Sequence, residues 1–396
     1  MDNREEACVQ RGAGGWRTNH SIRFRDNNWC RESSMSHVLI SPLNWGLGHA
    51  TRDIPIIRTL LEHNHDVTIA ACGNALLALK KEFPDCSFLE FPDYPVPYSS
   101  SRFFLPKLAA SFPALLQAIA NERKTLEQIL SRNRYDLIIS DNRLGVYSAK
   151  IPSVFITHQL HFHFPLFLWP VELLALRVNG YLHEKFDKII VPDNPPGSAA
   201  LAGKLSRPSV EATWERVFFA GILAGIERSD VPSDLDHLIM ISGPEPQRTR
   251  LEEILLPQVS SLAGNNAVLL GSPAKEGLRT VTPGCTVIGY ASTAEKIELM
   301  NRAKCVVCRS GYTSMMELAE LDKRRALFIP TPGQTEQEYL SWYYRGNGWF
   351  YSETQYRLDL PRDLAIAQTY AGFPHMSKTK ENVKRLYDEV LTGYLT

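Results

Sequence analysis

The chain has 396 residues, of which 44% are hydrophobic and 22% charged, and its 43 lysines and arginines balance 43 aspartates and glutamates. The length is typical of two domains, and the composition excludes a disordered or fibrous protein. A formal net charge of zero provides no overall attraction for a polyanion, so we expect no nucleic-acid partner.

The segment 1–36 is rich in arginine and poor in aliphatic residues. It lacks the apolar core of about 7–15 residues that a secretory signal requires, and we expect a flexible or non-native extension outside the fold. Seven cysteines, an odd number without paired spacing, favour free thiols and a cytoplasmic location. No stretch reaches the roughly 18 consecutive apolar residues that predict a membrane-spanning helix.

Short aliphatic runs alternate with helical patterns through the first half of the chain. Strands are predicted at 37–41, 66–71, 136–140, 153–157, 188–191 and 217–220, and helices near 74–82, 105–131 and 143–149. Alternation of strand and helix predicts a parallel sheet. We therefore expect a Rossmann-like domain over residues 37–224.

The polar, turn-rich stretch 225–236 is a predicted linker, and a second alternating series follows it. Its predicted strands are 237–241, 267–270, 286–288, 305–308 and 325–329, with helices near 247–262, 293–302 and 311–321. We expect a second Rossmann-like domain over 237–375, and a C-terminal helix in 376–396 that packs back on the first. Such sheets bind ligands beyond the carboxyl ends of their strands, which favours a ligand in the cleft between the domains.

The first predicted strand is followed by the loop NWGLGHATR, which opens a helix. Gly46 and Gly48 permit a sharp turn and a close approach to a ligand, and the helix start favours an anion. Thr51 stands where a dinucleotide-binding motif requires its third glycine, so a nicotinamide cofactor is not favoured. His49 is either a proton acceptor at the mouth of the cleft or a solvated turn residue.

The second half contains a sharper motif, RSGYTSMME, directly after a buried-looking strand. Ser310 and Gly311 would present unpaired amides to a diphosphate, and Glu317 lies one turn beyond Thr313, where a carboxylate can accept hydrogen bonds from ribose hydroxyls. In the alternative interpretation, Ser310 is only a helix cap and Glu317 faces solvent.

The pattern R-S-G-x-x-S-x-x-E, followed by a strand and PTPGQTEQEY, resembles the C-terminal half of the family 28 glycosyltransferases, and the G-x-G-H loop resembles their N-terminal half. The resemblance covers the chain from about residue 37 to its end. It implies an α/β protein of the GT-B fold, in which two Rossmann-like domains face each other across a cleft. It also implies that the C-terminal domain binds a UDP-sugar and that the N-terminal domain binds the acceptor, whose hydroxyl receives a hexose or N-acetylhexosamine with inversion.

Motif and resemblance together give the candidate donor-binding residues: Ser242, Gly243, Arg248, Tyr290, Ala291, Arg309, Ser310, Gly311, Thr313, Ser314, Glu317, Gln334, Gln337 and Glu338. On the acceptor side the candidate loop residues are Gly46, Gly48 and Arg52. The candidate base is His49, or His158 if His49 only orients the acceptor. Asp141 ends a strand that faces the cleft, where it would bind the acceptor or cap the next helix.

Several alternatives stay open on the residues alone. An epimerase acting on UDP-N-acetylglucosamine, or a hydrolase of the same fold, would use acids such as Asp141, Glu317 and Glu338. A non-catalytic nucleotide-sugar binding protein is another alternative. We expect the acceptor to be a glycan or a lipid-linked molecule. In the latter case the aromatic run 160–176 would make peripheral contact at the inner face of the membrane, and otherwise the run packs in the core and between helices.

No metal or other cofactor is predicted. The motif D-x-D at 234–236 is typical of metal-dependent transferases, but here it precedes a strand. Cys305 and Cys308 would point to opposite faces of a strand and would not share a metal ion.

Overall fold

The computed structural model describes residues 35–45, 47–94, 104–161, 169–209 and 211–395. Gly46 and most of the predicted N-terminal extension lie outside these ranges, as do residues 162–168 of the aromatic run. Among the described residues, no helix is both long and apolar enough to cross a lipid bilayer.

Seven parallel strands form the first sheet, in the order β3-β2-β1-β4-β5-β6-β7. The strands are β1 (His37–Pro42), β2 (Asp66–Ala71), β3 (Ser87–Glu90), β4 (Leu137–Asp141), β5 (Ser153–Ile156), β6 (Lys188–Val191) and β7 (Val217–Phe219). The helices of this half are α1 (Leu47–Glu62), α2 (Gly73–Glu82), α3 (Phe104–Leu130), α4 (Trp169–His183) and α5 (Glu211–Trp214). Residues Val38, Leu39 and Ile40 are all fully buried, because layers cover both faces of the central strand.

The second sheet also has seven strands, in the order β10-β11-β9-β8-β12-β13-β14, and only β10 is antiparallel to its neighbour. The strands are β8 (Leu235–Met240), β9 (Asn266–Leu269), β10 (Arg279–Thr282), β11 (Cys285–Ile288), β12 (Ala303–Cys308), β13 (Ala326–Phe328) and β14 (Tyr351–Ser352). The helices are α6 (Gln247–Val259), α7 (Thr293–Arg302), α8 (Tyr312–Glu320), α9 (Thr335–Gly346), α10 (Leu360–Ala367) and α11 (Thr379–Glu389). The chain between the two sheets, residues 220–234, contains neither helix nor strand.

Strand order reverses at an equivalent point in each sheet. β1 lies between β2 and β4, and β8 lies between β9 and β12. Ligands of doubly wound sheets bind beside this reversal, beyond the carboxyl ends of the strands. The loops after β1 and β12, which carry the two predicted glycine-containing motifs, therefore each lie beside the reversal of their own sheet.

The two halves exchange short segments. Val383 and Leu386 of α11 belong to the apolar core of the first half, whereas Leu201 and Leu205 lie in the core around the second sheet. The hydroxyl of Tyr344 in α9 donates a 2.6 Å hydrogen bond to the Leu201 carbonyl. Each half thus completes part of the core of the other.

The predicted helix at 143–149 is wrong, because this segment forms turns. Arg143 is fully buried and donates hydrogen bonds to the carbonyls of Pro42 (2.9 Å) and Pro92 (2.6 Å) and to the Glu122 carboxylate (2.8 Å). These contacts with distant segments fix the chain in a turn that its local sequence does not specify.

Candidate active site

The site begins where β1 and β4 end. His49 and Arg52 lie one turn apart on the first turns of α1, and Asp141 is the last residue of β4. Helical spacing brings the two α1 side chains to the same face, opposite the end of the neighbouring strand. The structure therefore brings together three of the predicted residues.

Asp141 is the fully buried acceptor at the centre of this group. Nε of Arg52 donates to Asp141 Oδ2 at 2.7 Å, and Nη2 donates to Oδ1. Burial opposes ionisation of Asp141, but the positive charge of Arg52 and the hydrogen bond with His49 outweigh it and hold the pKa of this carboxyl well below its usual range. Asp141 is thus a carboxylate paired in bidentate fashion with Arg52.

Nδ1 of His49 lies 2.9 Å from Asp141 Oδ1 and also 2.9 Å from Arg52 Nη2. A guanidinium can only donate, so a proton on Nδ1 is compatible with a hydrogen bond to Asp141 alone. We assign the proton to Nδ1, which leaves the lone pair on Nε2. Burial lowers the pKa of His49, although Asp141 opposes this shift, and the imidazole is accordingly neutral near pH 7.

His158 follows β5 and is the second histidine of the cluster. Its Nδ1 lies 3.2 Å from Arg52 Nη1, a donor, and so accepts. The proton is then on Nε2, which lies 3.3 Å from Glu336 Oε1 without the alignment of a hydrogen bond. The ring also stacks on Tyr312 of α8 at 4.2 Å. With one nitrogen facing an arginine and the other a carboxylate, His158 is poorly placed as a base, which favours His49.

Glu336, in the first turn of α9, is a member of this cluster that sequence reasoning missed. Its carboxylate also accepts a hydrogen bond from the side chain of Gln159. Burial opposes its ionisation, but His158, His49 and Arg52 lower its pKa. Sequence reasoning selected the neighbouring Gln337 and Glu338 instead. The available signal was an acidic residue in the first turn of a helix.

The start of α8 faces this cluster from the second half. Gly311 caps the helix in an extended conformation, and Gly311, Thr313 and Ser314 are half-buried. A Cβ placed on Gly48 would collide with the Thr313 side chain, so only glycine allows the two segments to approach this closely. The first turns of α1 and α8 therefore meet across the cleft.

Ser310 and Arg309, which precede α8, are buried and occupied by protein contacts. The Ser310 hydroxyl donates to the Gln337 carbonyl and accepts from Ser341, both at 2.9 Å. The guanidinium of Arg309 donates only to uncharged acceptors: the carbonyls of Ser242, Gln247, Ile329 and Pro330 and the side chain of Gln355. Burial lowers the pKa of Arg309 to about 10. Arg309 thus holds together the loops around the start of α8, and all of its hydrogen bonds described above are to protein acceptors.

Glu317 is 1% exposed, so the alternative of a solvent-facing side chain is wrong. Both of its carboxylate oxygens accept hydrogen bonds from Lys296 Nζ in α7, at 2.7 and 2.8 Å. Glu317 is therefore a fixed acceptor one turn into α8, held by a partly exposed lysine.

The loop between β13 and α9 borders the start of α8. Gln337 Oε1 accepts from the Thr331 amide at 2.8 Å, and Glu338 Oε1 accepts from the Gly333 amide at 2.9 Å. Thr331 Oγ1 and Gln334 Oε1 are buried and have no hydrogen-bond partner in the described part of the chain. These two oxygens are suited to a polar ligand.

The remaining candidates belong to the segments that follow β8 and β11. Ser242, Gly243 and Tyr290 are exposed and Ala291 is half-buried, and Arg248 pairs with Glu245 and Glu252 on and beside its own helix. Within the described ranges, no hydrogen bond or ion pair joins these residues to His49 or Asp141. Asp234 and Asp236 form ion pairs with Arg302 and Lys304.

A scan against models of known protein families gives no match. The chain is similar to an uncharacterized glycosyltransferase of Methanosarcina mazei, with 23% identity over 318 residues that cover 76% of this chain and 81% of that protein.

Three solved structures share the fold. The glycotransferase of kitacinnamycin has 14% identity and a TM-score of 0.61 over 91% of this chain and 100% of that one. The spinosyn rhamnosyltransferase SpnG complexed with thymidine diphosphate has 14% identity and a TM-score of 0.56 over 90% and 96%. MurG of Acinetobacter baumannii has 11% identity and a TM-score of 0.51 over 90% and 99%. These likenesses confirm the predicted α/β class and GT-B fold with two Rossmann-like halves.

Proposed function

We propose that this protein is an inverting glycosyltransferase that moves a hexose or N-acetylhexosamine from a UDP-sugar to an acceptor hydroxyl. The observation that carries the proposal is the pairing of His49 with Asp141 directly opposite the start of α8. A base and an anion-binding helix start thus face each other across the cleft. The relative and two of the fold neighbours named above are glycosyltransferases by name, and one of these was solved with thymidine diphosphate.

His49 acts as the general base. Its Nε2 takes the proton of the acceptor hydroxyl, whose oxygen attacks the anomeric carbon while the bond from that carbon to the diphosphate oxygen breaks. The bonding electron pair leaves with UDP, and attack from the opposite face inverts the anomeric configuration. Asp141 retains its hydrogen bond to Nδ1 and stabilises the imidazolium that forms.

The start of α8 stabilises the leaving group. Amides of Gly311, Tyr312 and Thr313 open this helix without intrahelical acceptors, and the helix dipole adds a partial positive charge. Negative charge grows on the diphosphate as the bond breaks, so a fixed positive potential lowers the barrier without the need for a metal ion. In this proposal Glu317 accepts hydrogen bonds from the ribose, and the Thr331 and Gln334 oxygens are available to the donor.

For the acceptor we propose a glycan or a lipid-linked hydroxyl bound by the first half, near the aromatic run 160–176. The aromatic composition of this run is suited to the apolar part of such a molecule. The composition of the run supports this part of the proposal.

The test measures UDP release from a panel of UDP-sugars, with and without extracted acceptors presented in liposomes or in detergent. We expect release that depends on the acceptor and that falls by about 100-fold or more in His49→Ala, the usual contribution of a general base. His375→Ala, at an exposed histidine outside the cluster, is the matched control and should retain activity. Sugar interconversion without UDP release would favour the epimerase alternative, and binding without either reaction would favour a binding protein. Both outcomes would contradict transfer.

A further inference from the structure

Asp53 is a fully buried acid that the proposed reaction does not use. It lies on α1, next to Arg52 and one turn after His49. No N–H or O–H group in the described part of the chain reaches either of its carboxyl oxygens. A carboxylate in this position would be desolvated without compensation, which is costly.

The nearest charged groups offer Asp53 no counter-charge of its own. Its neighbours are Asp141 and Arg52. Arg52 already donates to both oxygens of Asp141 and directs its remaining contacts at His49 and His158. Two carboxyl groups therefore share one guanidinium, and ionisation of both would leave an excess negative charge inside the protein.

A proton on one carboxyl group removes this excess charge. A hydrogen bond between Asp53 and Asp141 requires that one of them carries the proton, because two carboxylates have only acceptors. Asp141 is the group held by Arg52 and His49, so Asp53 is the group that keeps the proton.

We propose that Asp53 is a protonated carboxylic acid that donates a hydrogen bond to Asp141, and that it is a positioning residue which sets the basicity of His49. The inference deepens the proposed function and rests on the role given there to His49. Burial and, secondly, the Asp141 carboxylate raise the pKa of Asp53 well above its ordinary value, in agreement with this assignment. A hydrogen bond from Asp53 draws negative charge away from the Asp141 oxygens. The imidazolium of His49 is then stabilised less, and His49 remains unprotonated at lower pH.

Several titratable groups face this cluster. His49 and Arg52 belong to α1 and Asp141 to β4, while His158 follows β5. Tyr312 of α8 and Glu336 of α9 complete the set from the second half. Any pH profile must therefore be compared between variants that differ only at Asp53.

The direct test detects the proton on the Asp53 carboxyl group spectroscopically, in the protein without substrate. We expect an infrared band of a protonated carboxyl group near neutral pH that is absent from Asp53→Asn. In protein labelled with ¹³C at the aspartate carboxyl groups, one resonance should keep the chemical shift of a protonated carboxyl group at pH values at which other aspartates are ionised. The NMR measurement needs only the unmodified chain, so it applies even if a variant fails to fold. Absence of any protonated aspartate near neutral pH would overturn the inference, whether or not transfer activity is found.

The functional test compares two substitutions of similar size. Asparagine still donates to Asp141, so Asp53→Asn should keep the acidic limb of the kcat/KM profile where it is. Leucine cannot donate, so Asp53→Leu should move that limb to higher pH by roughly one unit, a tenfold change in proton concentration. Equal profiles for the two folded variants would contradict the positioning role, because loss of packing alone does not shift a titration.

Discussion

Substitution of Glu317 by glutamine tests whether this buried acid binds the donor or only pairs with Lys296. The carboxylate is 1% exposed and accepts two hydrogen bonds at 2.7 and 2.8 Å. A hydrogen bond to a charged group contributes about 1.5–3 kcal/mol. Loss of charged hydrogen bonds to the ribose should therefore weaken UDP binding by roughly 10- to 160-fold.

Isothermal titration calorimetry with UDP measures this change, and thermal unfolding of the same samples measures stability. Lys296→Met removes the ion-pair partner of Glu317 but keeps its carboxylate. This substitution should therefore lower thermal stability while UDP still binds to Glu317. Glu298→Gln, at a largely exposed position on α7, is the control and should change neither quantity. An unchanged dissociation constant in a folded Glu317→Gln variant would refute the ribose assignment and leave Glu317 as a structural ion pair.

Two further predictions concern stability. Tyr344→Phe removes the buried hydrogen bond to the Leu201 carbonyl and should lower the free energy of unfolding, measured in urea, by about 1–3 kcal/mol. Tyr356→Phe, at a position 64% exposed, is the control and should change this free energy little. Equal effects of the two substitutions would show that the hydrogen bond between the halves contributes nothing to stability. Burial lowers the pKa of His183 from 6.5 to about 4, so the unfolded chain gains a proton there at higher pH than the folded one, and stability should fall as the pH drops from about 6.5 to 4. His183→Gln should flatten that part of the curve relative to the unmodified protein, and identical curves would contradict a buried neutral histidine.

Local sequence was sufficient to predict most of the helices and strands. The aliphatic runs at 37–41 and 305–308 form central strands β1 and β12, and the helix predicted near 293–302 is α7. Hydrophobic periodicity and helix capping depend on neighbours within a few residues, so a single chain contains the information. The prediction of a helix at 143–149 was wrong because Arg143 forms hydrogen bonds with residues 21 and 101 positions away.

Local sequence predicted only part of the candidate site. His49 and the helix start after Gly311 follow strands of two similar series, and the alternation of strands and helices placed them at the carboxyl ends of two parallel sheets. The pairing of His49 with Asp141 joins residues 92 positions apart, and the contact of Gln159 with Glu336 joins residues 177 positions apart.

The sequence by itself therefore determined the alternation of strands and helices, the two halves and the motifs at their loops, because these properties are local and periodic. Tertiary structure alone decided that Arg309 joins several loops and that Glu336 lies against His158. It also decided that Asp53 lies near Asp141 with no N–H or O–H donor among the described residues. The role of a charged side chain depends on its burial and on which opposite charge faces it, and both are set by segments far apart in the chain.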